Sequence, residues 1–143
     1  MKISVGSDHR GYWLKEKLKE ILLENGHIVD DVGCEKAESC DYPEFAQKVA
    51  GKVSDNTSDR GILICGSGIG MSIAANRFVN VRAALCYNEE AAQLSRAHND
   101  SNVLVLGANF VAPEKAGKIL QAWLDTVFEQ GRHQKRLNLI DNK

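Results

Sequence analysis

The chain has 143 residues, with 18 Lys and Arg against 19 Asp and Glu, a formal net charge of −1 and 43% hydrophobic residues. That length and apolar content suit one domain with its own core, and the near-neutral balance gives no field for steering towards nucleic acid or an anionic membrane. No window approaches the length of a spanning helix and the start, Met1-Lys2-Ile3-Ser4-Val5, lacks the apolar stretch of a secretory signal, so a cytoplasmic protein is expected.

Along the chain, short β-rich runs alternate with helical patterns. Lys2–Gly6 reads as a strand. A helix from about Gly11 to Asn25 follows, with Leu14, Leu18, Ile21 and Leu22 on one face and Lys15, Lys17, Lys19, Glu20 and Glu24 pointing away. Asn25-Gly26 ends it. His27–Val32 is the second strand, Glu35–Asp41 a polar surface loop, and Pro43–Val53 a helix with Ala46, Val49, Ala50 and Val53 at helical spacing. After the polar segment Ser54–Arg60 comes a strand at Gly61–Cys65, then a short helix after Gly70 and a strand at Val81–Tyr87. A helix from Asn88 to His98 leads to the fifth strand, Val103–Gly107, and Pro113–Phe128 is a helix with Ala116, Leu120, Trp123, Leu124 and Val127 in register. Both prolines open helices, where a missing N–H costs nothing. The runs Gly61–Cys65 and Val103–Gly107 are apolar without alternation, as in a parallel sheet covered on both faces. The expected fold is therefore a three-layer α/β/α sandwich around a five-stranded parallel sheet, one domain over residues 1–143.

The four cysteines, Cys34, Cys40, Cys65 and Cys86, form no C-x-x-C pair and no zinc-like spacing, so no structural metal and four free thiols are expected. In an open parallel sheet, ligands bind beyond the carboxyl ends of the strands. Three junctions stand out: Ser7-Asp8-His9, the run Cys65-Gly66-Ser67-Gly68-Ile69-Gly70, and His98-Asn99. All three could meet at one rim. Three glycines in five residues between a strand and a helix let backbone N–H groups turn towards an anion. Better-known anion motifs fail here: Met71 stands where a dinucleotide fingerprint needs glycine, no Gly-Lys-Ser/Thr follows, and no arginine lies six residues after Cys65. A receiver domain would need an aspartate where Cys65 stands. The plain alternative is a tight turn with Cys65 as a small buried hydrophobe. Against it, a thiolate at a helix N-terminus is stabilised by the macrodipole. Asp8 alone reads best as a cap of the first helix, His98 alone as a half-buried histidine, and Arg132 with Arg136 as a solvated basic end. Four residues apart, however, those arginines would align on a helix as a fork for phosphate. His27 is given no role.

Taken together, Ser7-Asp8-His9, Asp41-Tyr42-Pro43, the stretch from Gly61 to Asn76, Ser95-Arg-Ala-His-Asn-Asp100 and Gly131-Arg-His-Gln-Lys-Arg136 resemble the type B ribose-5-phosphate isomerases and the related galactose-6-phosphate isomerase subunits. The resemblance covers the whole chain. It implies a Rossmann-like subunit, homodimeric or homotetrameric, with sites built across the interface, a tail of about residues 129–143 reaching a partner, and no metal or organic cofactor. By the same resemblance Cys65 is the base beside the sugar carbonyl, and the Gly66, Gly68 and Gly70 backbone with Ser67 cradles the enediolate. His98 opens the ring with Asp8 near the ring oxygen, Tyr42 and Asn99 hold hydroxyls, and His9, Arg132 and Arg136 hold phosphate. One departure stands out: Asn109 occupies the position after the fifth strand where such chains commonly carry arginine. Aldose–ketose interconversion needs a base, an oxyanion site and a ring-opening acid, which the three junctions supply. Isomerisation of a hexose 6-phosphate and a non-catalytic sugar-phosphate-binding module remain the alternatives.

Overall fold

A computed structural model describes residues 1–141. The last two residues of the expected tail lie outside the described residues. The chain runs β1 (Lys2–Ser7), α1 (Tyr12–Glu24), β2 (Ile28–Asp31), α2 (Tyr42–Ser54), β3 (Arg60–Cys65), α3 (Ile69–Ala75), β4 (Ala83–Leu85), α4 (Glu89–Asn99), β5 (Val103–Gly107), α5 (Pro113–Asp125) and α6 (Arg132–Ile140). All strands are parallel, in the order β2-β1-β3-β5-β4. The order reverses direction between β1 and β3, so the crevice outside their carboxyl ends is the place such a sheet offers a ligand.

Alternation along the strands divides the core in two. Ile3, Val5, Ile62, Ile64, Leu104 and Leu106 meet Leu14, Leu18 and Leu22 of α1 and Ile119, Leu120 and Trp123 of α5. Leu63, Cys65, Val103 and Val105 face Phe45, Ala46, Val49 and Ala50 of α2 and Met71 and Ala75 of α3. The helices therefore cover both faces, as the unalternating strands require, and among the described residues no helix is long and apolar enough to cross a membrane. Pro113 and Pro43 lie in the first turns of α5 and α2. Asn88 caps α4 by accepting the Ala91 N–H at 2.7 Å.

Several local expectations are corrected. Lys15 does not point away from the core. Its side chain is 1% exposed, and its ammonium donates to Asp31 Oδ2 at 2.6 Å and to the Cys34 carbonyl at 2.9 Å. It stands beside Leu14 at the edge of the apolar stripe, where the end of β2 supplies a carboxylate that helical periodicity cannot anticipate. Val127 lies beyond the end of α5 and is exposed, because the helix stops at Asp125. The basic end, by contrast, is helical as its arginine spacing allowed: it forms the separate helix α6, entered through Gly131 at φ +54°. Finally, Cys34 and Cys40 are paired as a disulfide, so the free thiols are Cys65 and Cys86. The loop between β2 and α2 folds back on itself and brings together two cysteines whose spacing matches no redox or metal motif.

The Lys15–Asp31 pair carries a stability prediction. Burial pushes the Asp31 carboxyl up, but hydrogen bonds from Lys15, Lys19 and the Gly33 N–H outweigh it and hold the carboxyl below its ordinary 3.8. A depressed folded value means that the contribution is complete above pH 3.8 and is lost as pH falls through the lower folded value. Asp31→Asn is expected to lower the unfolding free energy by about 1–3 kcal/mol at neutral pH, because a buried ammonium loses the nearer of its two carboxylate partners and keeps only Glu16 Oε1 at 3.1 Å. Urea titrations at pH 7 and at pH 3 should show the gap between variant and wild type narrowing in acid.

Candidate functional site

The carboxyl rim gathers the first two junctions. Asp8, just past β1, donates its N–H to the Ile64 carbonyl of β3 at 3.2 Å. Its buried carboxylate accepts, at Oδ1, the N–H groups of Arg10 at 2.9 Å and Gly11 at 3.0 Å. These bonds close the turn ahead of α1 through one oxygen only; the N-cap of α1 is Gly11, with no side-chain cap bond, so the expectation that Asp8 caps the helix is corrected. His9 is half-buried and its Nδ1 accepts the Cys40 N–H at 3.3 Å. A ring that accepts at Nδ1 carries its proton on Nε2 when neutral, leaving a donor for a ligand. The loop that holds the disulfide thus also orients His9.

Cys65 ends β3, is 5% exposed and sits on the α2/α3 side of the sheet. The Gly68 N–H donates to its Sγ at 3.1 Å, a contact that any negative charge on sulfur strengthens. Gly68 reaches that position at φ +81°, and a side chain there would run into Leu85 Cδ1 and the Leu106 backbone. Ser67 Oγ accepts the Ile69 N–H at 3.2 Å. With Gly68 and Ile69 engaged in this way, Gly70 and Met71 are left as the first-turn N–H groups of α3 that no acceptor within the helix satisfies. Tyr42, at the start of α2, lies over this turn: a Cβ on Gly70 would fall 2.6 Å from its hydroxyl oxygen. Gly66 is flanked by Arg10 Cδ and Asn109 Nδ2, 3.0 and 3.2 Å from where its Cβ would stand. The structure therefore brings Asp8, His9, Tyr42, Cys65, Gly66, Ser67, Gly68 and Gly70 to one place. Tyr87 joins them, its hydroxyl donating to the Ser67 carbonyl at 3.0 Å. Arg10 and Tyr87 were missed in the sequence, although Arg10 directly follows Asp8-His9.

The third junction is elsewhere. His98 and Asn99 end α4, and a helix connecting parallel strands returns the chain to the amino end of the sheet. Register places Gly61 beside Val103 and Cys65 beside Gly107, so the two ends are about 13 Å apart along the strands at roughly 3.3 Å per residue. The reading in which all three junctions meet at one rim of one chain is thus corrected by chain direction. At its own end of the sheet His98 stacks on His133 with ring centroids 4.3 Å apart. Glu129 Oε2 lies 3.8 Å from His98 Nε2 and 3.5 Å from His133 Nε2. These three are a grouping of metal-type side chains, with ligand atoms within 4.8 Å of one another. Burial, with His98 and Arg132 close by, holds His133 below the usual histidine range. Arg132 and Arg136 are exposed on α6, which packs against α4. Their spacing of four was legible; the partnership of Glu129 and His133 with His98 was not noticed, although Glu129 and His133 are also four apart.

The free thiols differ in kind. Cys86 is buried on the other face of the sheet, and burial pushes its thiol up to about 11, so it stays protonated at neutral pH. Cys65 alone opens onto the cradle.

Comparison with known proteins bears on the family and the fold. The sequence model of the family described as Ribose/Galactose Isomerase matches residues 3–140. The chain is 48% identical to ribose-5-phosphate isomerase B of Escherichia coli strain K12 over 97% of this chain and 93% of the relative. It superposes on the Clostridium thermocellum ribose-5-phosphate isomerase B with a TM-score of 0.98 at 46% identity, covering 99% of this chain and 96% of that one. The Mycoplasma genitalium ribose-5-phosphate isomerase B, solved with bound ribulose-5-phosphate, gives 0.96 at 42% identity, covering 99% and 94%. A family match across almost the whole length, joined to the same five-stranded fold, leads to one conclusion: this chain belongs to the Ribose/Galactose Isomerase family.

Proposed function

We propose that the protein is a cofactor-independent aldose–ketose isomerase that interconverts ribose 5-phosphate and ribulose 5-phosphate in the cytoplasm, through an enediolate, with Cys65 as base. The observation that carries this reading is the Cys65 Sγ, held by the Gly68 N–H at the mouth of a glycine cradle between the ends of β1 and β3. The thiolate removes the proton from C2 of the open-chain aldose, and the developing charge on O1 is met by the cradle N–H groups and Ser67. The resulting thiol returns the proton to C1, and a proton passes from O2 to O1, giving the ketose with no net loss of atoms or electrons. In this reading Asp8 faces the ring oxygen, Tyr42 holds a hydroxyl, and His9 Nε2–H donates to the phosphate.

Ring opening by His98, hydroxyl binding by Asn99 and phosphate binding by Arg132 and Arg136 then come from a second copy of the chain, in a homodimer or a tetramer built from such dimers. Support for this is the separation of His98 from Cys65 along the sheet and the apolar surface near both groups. Ile69 and Ile73 of α3 and Leu139 and Ile140 of α6 are all more than half exposed.

The test is direct. Purified protein incubated with ribose 5-phosphate should form ribulose 5-phosphate, with a higher kcat/KM than for allose 6-phosphate or galactose 6-phosphate. A preference for either hexose phosphate would move the assignment to that substrate. No turnover of any of the three would leave a binding module and overturn the reading.

A further inference from the structure

The mouth of the cradle carries a cation with no counter-charge. Arg10 is exposed, and among the described residues its guanidinium forms no ion pair or hydrogen bond. The carboxylate nearest in sequence, Asp8, directs Oδ1 to the backbone N–H groups of Arg10 and Gly11 instead. Those two bonds fix the turn after β1, and the turn carries the Arg10 side chain across to the next loop, with Cδ close over Gly66. The residue beside Gly66 in sequence is Cys65. On the same glycine lies the Asn109 amide, whose backbone N–H donates to the Gly66 carbonyl at 2.9 Å. A planar five-donor fork on the residue after His9, beside a turn rich in backbone N–H groups, is matched by a dianionic oxyanion rather than by a neutral hydroxyl.

We propose that Arg10 binds the phosphate group of the sugar phosphate, acting from the same subunit as Cys65, and that it thereby sets the affinity for phosphorylated over free sugars. This rests on the isomerase reading above. Because Arg10 and Asn109 flank one glycine, a long cationic side chain placed at 109 reaches the same space. The charge is therefore interchangeable between the two positions. No step of proton transfer involves Arg10, so its loss acts on binding shared by the ground and transition states.

Wild type, Arg10→Ala, Arg10→Lys and the double variant Arg10→Ala/Asn109→Arg are compared in two measurements. The first is steady-state isomerisation of ribose 5-phosphate with inorganic phosphate as competitor. Arg10→Ala should raise KM and the inhibition constant of phosphate together by about ten- to a hundredfold, with kcat changed much less. Arg10→Lys should fall between, since a point charge replaces the fork, and the double variant should recover most of the lost affinity. The second is the rise in Tm given by inorganic phosphate, which reads binding whether or not turnover occurs. That rise should be lost in Arg10→Ala and restored in the double variant. If wild type shows the phosphate-dependent rise but no turnover, the isomerase reading fails and Arg10 is judged on the Tm measurement alone. Unchanged KM and unchanged phosphate inhibition in Arg10→Ala, or a raised KM that Asn109→Arg does not correct, would overturn the proposal.

Discussion

Replacing Cys65 by alanine is expected to leave the fold and the affinity for ribose 5-phosphate close to wild type while kcat falls by about two to four powers of ten, the range typical for removal of a positioned base. The loss falls on kcat because the thiol acts only when the proton moves; the N–H groups that hold the enediolate belong to the backbone and survive the substitution. The other free thiol cannot take over. Cys86 lies on the opposite face of the sheet and keeps its proton far above neutral pH. Circular dichroism would verify folding, and single-turnover together with steady-state kinetics would separate binding from chemistry. Near-normal kcat in a folded Cys65→Ala protein would make this cysteine part of the core beside Met71 and Ala75 and nothing more.

Mixed dimers give the second large effect. A chain carrying Cys65→Ala is nearly inactive, and Arg136→Ala should raise KM by about one to two powers of ten through loss of a charge-assisted contact. If the α6 arginine serves the neighbouring subunit, pairing the two chains leaves one site with both Cys65 and Arg136 intact. Random re-pairing makes about half of the dimers mixed, so about a quarter of wild-type turnover should return, with the wild-type KM. Should the mixture show only the raised KM of its Arg136→Ala component, while mixed dimers are demonstrated by mass, the arginine belongs to its own subunit. The direction of α4 favours the shared site, since that helix carries His98 away from Cys65 to the far end of the sheet.

Much of this was legible without coordinates. The strands at Lys2–Ser7, Arg60–Cys65 and Val103–Gly107 announce themselves as short apolar runs, and the helices that follow show a 3.6-residue stripe. β4 shrank to Ala83–Leu85, paired with Val103–Val105 although β5 runs on to Gly107, because as the edge strand it has a neighbour on one side only. The glycine cradle was readable because its chemistry is local: consecutive residues supply the turn, the thiol and the N–H groups. For helix α6 only the spacing of Arg132 and Arg136 hinted at a helical end, and its bounds were not readable, since nine residues with few apolar positions give periodicity little to register.

Local pattern therefore determined the parallel α/β class, the two faces of most helices and the cradle around Cys65, because each depends on residues adjacent in sequence or one helical turn apart. Tertiary structure alone decided what depends on meetings between distant segments. It buried Lys15 against Asp31, joined Cys34 to Cys40, stacked His98 on His133 and sent that pair to the end of the sheet opposite Cys65. Asn109 shows the division most plainly. The sequence reveals an uncharged residue where a positive one is expected, whereas only the folded chain, by laying the β1 and β5 loops on either side of Gly66, places Arg10 beside it. Spacing along a chain fixes neighbours within an element, but the crossing of separate loops over one glycine is set by sheet order and register, which no single stretch of sequence contains.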